Sequence, residues 1–390
     1  MPPEVKHDRI LQALLADIAS GQYGPGHRLP SEAQLVRRFG VSRPTAARAL
    51  RDLRDRGVIE RRVGSGSFVK EAPSPEAVGS RQLGLLIPDL GMTEVFEAIC
   101  GELAGQARGR GYGLVWGAGH TGRFEMPGIE AAPSLCEPFI ASQIAGVFFA
   151  PFEGGPEHTE LNQAVANTLR VAGVTVVLLD RDLAPFPLRS PYDLVGIDNF
   201  SAGFTLAEHL LKLGCRRLAF VARRHSAPTV NARVAGAREA LRAQGLDVPP
   251  DFLRVGNPES ADLVDTLIGP HAGPALDAVI CANDHTAALL LRSVERRGVS
   301  VPQDLRIVGF DDLRLATVLR TPLTTMHQPC RDIAMVALQT MLSRLADPAL
   351  PARNITIAAR LVIRESCGTY SQKAHSGVDR AANTDQDKVR

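Results

Sequence analysis

Several apolar stretches of strand length in this chain end in groups that can hold a ligand. Asp89 follows Leu83 to Pro88, Asp180 and Arg181 follow Val174 to Leu179, and Arg223 and Arg224 follow Leu218 to Ala222. Asn283 and Asp284 follow Ala278 to Ala282, and Asp311 and Asp312 follow Leu305 to Phe310. In open α/β sheets ligands lie outside the carboxyl ends of the strands, so these polar groups would be delivered to one place. The competing reading is that Asn and Asp cap the helices that follow. At a single position capping is as good an account; for all of the strand ends together it is the weaker one.

A second set of chemistry-bearing residues lies near the N-terminus. Ser42 can cap a helix whose first turn holds Pro44, where a missing N–H does no harm. Ala46, Ala49, Leu50 and Leu53 fall on one face at helical spacing. Thr45, Arg48 and Arg51 fall on the other, and Arg43 projects from the N-terminal end. An apolar back with an arginine-bearing front is what a major-groove reader requires, because arginine offers two donors to guanine O6 and N7. The plain alternative is a solvated basic face.

The elements around each set follow from local pattern. Ser31 begins a helix in which Gln34 occupies the third position of a capping box, and Gly40 suits the left-handed residue that closes it. His7 to Ser20 places Ile10, Leu14, Leu15 and Ile18 at helical spacing. After Gly57 come two short β-rich pieces, Val58 to Val63 and Ser67 to Val69, joined at Gly64-Ser65-Gly66. Residues 71–81 carry prolines and small polar residues and read as a linker. From Leu83 apolar strands alternate with helical patterns, which predicts parallel sheets covered on both faces.

The chain's 390 residues suit two or three units. Its net charge of +2 is unevenly placed. Residues 1–70 hold 13 Lys and Arg against 7 Asp and Glu, and the remainder holds 31 against 35. A basic head on a mildly acidic body fits a DNA-binding unit joined to one with another task. The N-terminus has no signal-peptide pattern and no apolar run reaches membrane length, so a cytoplasmic location is expected. The 6 cysteines are scattered without a C-x-x-C pair, which argues against a zinc site or a disulfide scaffold. No phosphate-loop, zinc-protease or nucleophile-elbow motif occurs. Gly109, Gly111 and Gly113 lie between a helix and a strand, the reverse of a dinucleotide site. No enzymatic activity, metal or cofactor is expected.

Residues 6 to 70, from the LPSE box through the VSR turn to the GSGSFV hairpin, resemble the winged helix-turn-helix of the GntR family of bacterial transcription regulators. The resemblance implies that Ser31, Arg43 and Thr45 touch DNA, with Arg48 beside them, and that Gly66 lets the wing approach a groove. Two positions depart from the common pattern. Ala33 and Ala47 stand where relatives often carry arginine, so the operator cannot be borrowed from them.

The stretches LGLLIPDLG, VVLLDRDL, VGIDNFSAGF, NARVAGAREAL, AVICANDH, LRIVGFDDL and ARLVIRES resemble, in order, the LacI/GalR effector domain. This is a two-lobed fold similar to type I periplasmic sugar-binding proteins. The implied architecture is α/β: a winged helix domain at 1–70, a linker at 71–81, an effector domain at 82–367 and a disordered tail at 368–390. The implied lobe crossings fall near 193–196, 326–328 and 347–352, giving lobe 1 about 82–194 and 328–346 and lobe 2 about 196–326 and 352–367. Matching positions make Asp180, Arg233, Asn283 and Asp311 effector contacts, suited to vicinal hydroxyls because a carboxylate accepts two O–H bonds and a guanidinium donates a fork. Phe96, and with it Phe149 and Phe152, could form an apolar wall or plain core. The hinge helix by which LacI-type regulators wedge a leucine into the minor groove is absent.

The function expected is a DNA-binding regulator, most simply a repressor, that binds double-stranded operator DNA as a homodimer and answers to a sugar-like small molecule between the lobes. The alternative keeps the head but has a protein co-regulator dock on the body.

Overall fold

The computed structural model describes residues 26–55, 59–62, 66–69, 82–88, 94–117, 128–269 and 273–369, with isolated positions between 10 and 23. The expected linker, most of the expected tail, and Asp89 lie outside the described residues. The chain divides into two units, Met1–Ser80 and Arg81–Arg390.

In the first unit, helices α1 (Glu32–Phe39) and α2 (Arg43–Asp55) precede strands β1 (Ile59–Arg62) and β2 (Gly66–Val69). The capping box forms: the Ser31 hydroxyl accepts the Gln34 N–H at 3.4 Å, and the Gln34 side-chain oxygen accepts the Ser31 N–H at 2.8 Å. Gly40 closes α1 at φ 65°, its N–H donating to the Val36 carbonyl. Strands β1 and β2 pair antiparallel, from Ile59 opposite Val69 to Arg62 opposite Gly66. Residues 26–29 add a further edge, with Leu29 N–H donating to Ser67 and Val69 N–H donating to His27. Ile10, Leu14, Leu35, Ala46, Ala49, Leu50 and Leu53 are buried together, so the apolar face of α2 is its packing face.

The second unit has two lobes, each built on a six-stranded sheet. The first sheet is parallel throughout. It orders β13 (Asn354–Ile357), β7 (Asp193–Ile197), β6 (Thr175–Leu179), β5 (Gly146–Phe149), β3 (Gln82–Leu86) and β4 (Gly113–Trp116). The second orders β14 (Arg360–Val362), β12 (Thr324–His327), β11 (Arg306–Asp311), β10 (Ala278–Cys281), β8 (Leu218–Ala222) and β9 (Leu253–Val255). It is parallel except for the edge strand β14. Helices α3 (Glu94–Gly109) and α11 (Cys330–Ala346) pack on one face of the first sheet, α4 (Ala132–Ala141) and α5 (Pro156–Val171) on the other. Helices α6 (Asn199–Lys212) and α7 (Thr229–Ala243) pack on one face of the second, α8 (Ala261–Ile268) and α9 (Asp284–Glu295) on the other; α10 (Leu315–Val318) is a single turn. Burial on both faces is why the strands read as continuous apolar runs. Among the described residues no helix is long and apolar enough to cross a membrane.

The chain passes between the lobes near 198, at 328–329 and at 358–359. Two expected crossings are therefore corrected. Residues 193–196 belong to a first-lobe strand paired on both sides. Residues 347–352 do not cross either: they are strapped to the first lobe, and Asn354–Ile357, assigned above to the second, pairs with β7. The strap is held by the buried Asp193 carboxylate, which accepts from Arg344 Nε at 3.0 Å and from Arg353 N–H at 2.8 Å. Burial opposes the Asp193 charge, but the two arginines outweigh it and hold the carboxyl below the usual range.

Helices α6 and α7 touch backbone to backbone. A β-carbon on Gly203 would lie 2.1 Å from the Arg233 carbonyl oxygen, and one on Gly236 would lie 2.0 Å from that of Phe200. Neither neighbour is a side chain that can swing away. Gly236→Ala is expected to destabilise the protein by about 1–3 kcal/mol through overpacking, read as a lower urea midpoint; an unchanged midpoint would contradict this helix contact.

Candidate functional site: an inter-lobe cleft and a basic helix

In the first unit Arg43, Arg48 and Arg51 are exposed on α2, opposite its buried face. Thr45 is half-buried, its hydroxyl 2.8 Å from that of Ser42. Ser31 is exposed, and its capping bond uses the hydroxyl oxygen as acceptor, which leaves the proton available to a phosphate. Gly66 has φ 119°, in the region that favours glycine. The close approach it permits is made within the unit itself: a β-carbon there would lie 2.8 Å from Arg28 Nε. Arg28 is exposed, pairs through its backbone with Phe68 and sets a cation against the wing. Sequence reasoning passed it over because it sits before the capping box, in no helix and no expected strand.

In the second unit a cleft of about 660 Å³ lies between the lobes. It brings together Phe96, Asp180, Arg233, Asn283 and Asp311, all five of the expected effector residues. The first lobe presents Asp180 from the end of β6, Phe96 from α3, and also Glu94, Glu153 and Arg181. The second presents Arg233 from α7, Asp311 from the end of β11, and Asn283 and His285 around the start of α9; Gln328 enters from a crossing segment. Asp180 and Asp311 hold φ of 66° and 107°. Such strain in non-glycine residues is tolerated where surrounding structure over-determines it, and it concentrates at ligand sites.

Both arginines are buried and engaged. Arg233 donates from Nε to Asn199 Oδ1 at 2.8 Å and from Nη1 to the Ala282 carbonyl at 2.6 Å, with Nη1 3.9 Å from Asp311 Oδ1. Its guanidinium lies 4.5 Å from the Phe310 ring centroid. Arg181 is bonded to Glu153 and stands 5.3 Å from the centroid of Phe96. Its Nε lies 3.3 Å from Asp180 Oδ2, close enough for an ion pair but without hydrogen-bond alignment. Burial works against the Arg181 charge, yet Glu153 and Asp180 outweigh it and raise its pKa. Burial pushes the Asp311 carboxyl up, while Arg233 and the Gln328 amide, donating at 2.8 Å, oppose the shift.

The strand ends divide between the two readings offered above. Asn283 does cap a helix, its Oδ1 accepting the Thr286 N–H at 2.9 Å, yet the residue also lines the cleft. Asp312 faces away, tied to Arg364 at 2.6 Å and to His327 at 2.9 Å. Arg223 and Arg224 are exposed and do not line the cleft. Phe149 and Phe152 belong to the core of the first lobe, packed edge to face. Arg181 was named above among the strand-end groups but not among the five effector contacts, and nothing local pointed to Glu153. A second cavity of about 570 Å³ shares Asp180. Its carboxylates Asp182 and Asp198 already accept main-chain N–H groups, so it presents fewer free acceptors.

The lobes also meet directly, the Arg314 N–H of the second donating to Glu94 Oε2 of the first at 3.0 Å. The arrangement can bind a compact, polyhydroxylated molecule from both sides at once, with Phe96 as an apolar wall. Among the described residues no group of three or more His, Cys, Asp or Glu is placed to hold a metal.

Comparison with known proteins agrees with this division. Residues 6–69 match the family described as bacterial regulatory proteins, gntR family, and residues 207–367 match the periplasmic binding protein-like domain. The arabinose metabolism transcriptional repressor of Geobacillus stearothermophilus is 24% identical over 368 residues, covering 93% of this chain and 97% of its own. The ribose operon repressor of Escherichia coli K12 is 28% identical over 195 residues, 49% of this chain and 58% of its own. Among solved structures, the transcriptional regulator CelR in complex with cellobiose superposes with a TM-score of 0.61 at 22% identity, covering 84% of this chain and 91% of that one.

Behind Asp311 lies Asp284, fully buried, its carboxylate accepting from Thr325 Oγ1 at 2.6 Å and from Leu313 N–H at 2.9 Å. Burial, with the Asp311 charge, pushes it from 3.8 up to about 8 against these two donors. The folded protein therefore keeps a proton here that the unfolded chain releases at ordinary carboxylate pH. The folded state binds more protons across that window, so the contribution is full below the unfolded value and is lost as the pH rises towards about 8. Asp284→Asn, which cannot ionise, should flatten the fall in unfolding midpoint across this window; an identical pH slope in variant and wild type would show that Asp284 is ionised throughout.

Proposed function

We infer that this chain, a gntR-family DNA-binding head joined to a periplasmic-binding-protein-like body, is a bacterial transcriptional repressor whose grip on its operator is set by a sugar-like molecule bound between the lobes of the body. The observation that carries the reading is the convergence of Asp180 and Arg181 from one lobe and Arg233 and Asp311 from the other on a single cleft. The sugar-metabolism repressors to which the chain is similar support it. Binding and regulation, rather than catalysis, are the role assigned to these groups.

A ligand that touches both lobes must favour the closed arrangement, because only there are all its contacts made. In a homodimer, closure moves the two bodies and, through residues 71–81, the two heads. One winged head makes few contacts, and a pair reading two half-sites is the usual solution. A coupling of about 1–3 kcal/mol would change operator affinity roughly 5–150-fold. Such a regulator works in the cytoplasm, where the operator is.

Two variants test the two ends of this mechanism. Arg43→Ala should lower operator affinity by about 1–3 kcal/mol at one base position and relax the preference there, measured by binding to a selected operator and its single-base variants. Unchanged affinity and selectivity would mean that α2 does not read the groove as assigned. Arg233→Ala should bind operator as wild type does but lose the effector response, since the carboxylates then face the hydroxyls without the guanidinium. A wild-type response at wild-type effector concentration would place the ligand outside the cleft.

A further inference from the structure

The charge inside the cleft narrows the chemistry of what it takes. Among its described lining residues are four carboxylates, on Glu94, Glu153, Asp180 and Asp311, and two guanidiniums, on Arg181 and Arg233. His285, exposed at the edge, is the remaining titratable group. With His285 neutral the lining carries a formal charge of −2. Each guanidinium is already partly committed within the protein. Arg181 is held by Glu153 and Asp180. Arg233 has Nε on Asn199 and Nη1 on the Ala282 carbonyl and near Asp311. Arg314 meets Glu94 through its main-chain N–H and does not line the cleft.

A phosphate or carboxylate needs donors arranged as a fork or a nest, and it gains most from a full positive charge beside it. Here it would enter a space whose own carboxylates already repel one another: the Asp311 carboxyl is raised by burial and further by Asp180 and Glu153. Hydroxyl groups face no such penalty. Each can donate to a carboxylate oxygen while its own oxygen accepts from whatever N–H remains, so a surplus of acceptors suits a molecule rich in O–H donors.

We propose that the cleft selects an uncharged polyhydroxylated molecule, an unmodified sugar or polyol, and rejects the phosphate esters and acids of the same sugars. The proposal rests on the assignment of the cleft as the effector site and adds the charge class of the effector.

The test is titration calorimetry on the full-length protein with a panel of pentoses and hexoses, each set against its terminal phosphate ester and its aldonic acid. A neutral sugar that binds should exceed both of its anionic counterparts by at least about tenfold, the scale of a like-charge mismatch in a closed site. An ester or acid that binds as well as or better than its parent sugar overturns the proposal. A second arm uses Glu153→Gln, at a side chain 46% exposed whose amide oxygen can still accept from Arg181. It removes one negative charge and keeps a partner for Arg181, so the gap between sugar and ester should narrow; a gap that stays the same overturns the electrostatic cause. A third arm separates this failure from failure of the site. An anionic ligand whose binding is abolished by Arg233→Ala leaves the cleft as the site and defeats only the charge rule. A ligand whose binding is untouched by Arg233→Ala defeats the assignment of the cleft, and a panel without any binding defeats both.

Discussion

Taking a guanidinium out of water is tolerable only where acceptors or opposite charges answer it, and that constraint organises the second unit of this protein. Arg181 and Arg233 are almost wholly buried, and unpaired they would cost several kcal/mol each. The fold answers with Glu153 and Asp180 around one, and Asn199, a main-chain carbonyl and Asp311 around the other. These partners come from separate strand ends and helices. Holding the charges fixes those ends against one another, which is also the geometry that a ligand between the lobes requires.

The helix packing serves the same purpose. Gly203 and Gly236 let α6 and α7 touch through their backbones, and the Arg233 carbonyl is one of the atoms in contact. The close approach accompanies the bond from Arg233 to Asn199 at the start of α6. A larger residue at either glycine would separate the two helices and with them the buried pair. Core packing and site geometry are thus one problem here, and small residues solve it.

What could be read from the sequence was what local pattern controls. The Ser31–Gln34 capping box, the left-handed Gly40 and the apolar face of α2 follow from spacings of a few residues, and the structure forms each of them. Asp180, Asn283 and Asp311 reach one cleft because parallel sheets deliver their strand ends to one side, and Phe96 and Arg233 join them there from helices α3 and α7. The features missed depend on long-range pairing. The crossing expected at 347–352 fails because Arg344 and Arg353 bind Asp193, more than 150 residues earlier. Glu153 joined the site only through Arg181, 28 residues on. Phe149 could not be placed by pattern, since a strand covered on both faces buries every residue, and Phe152, just past that strand, packs on it.

For the cleft to act as a switch, one molecule must be gripped by both lobes. A crystal structure of the full-length protein grown with whichever sugar binds it tests this most directly. Ligand hydroxyls are expected within hydrogen-bond distance of Asp180 or Arg181 on the first lobe and, in the same complex, of Arg233 or Asp311 on the second. A ligand that contacts one lobe alone, or that lies outside the cleft, would contradict it.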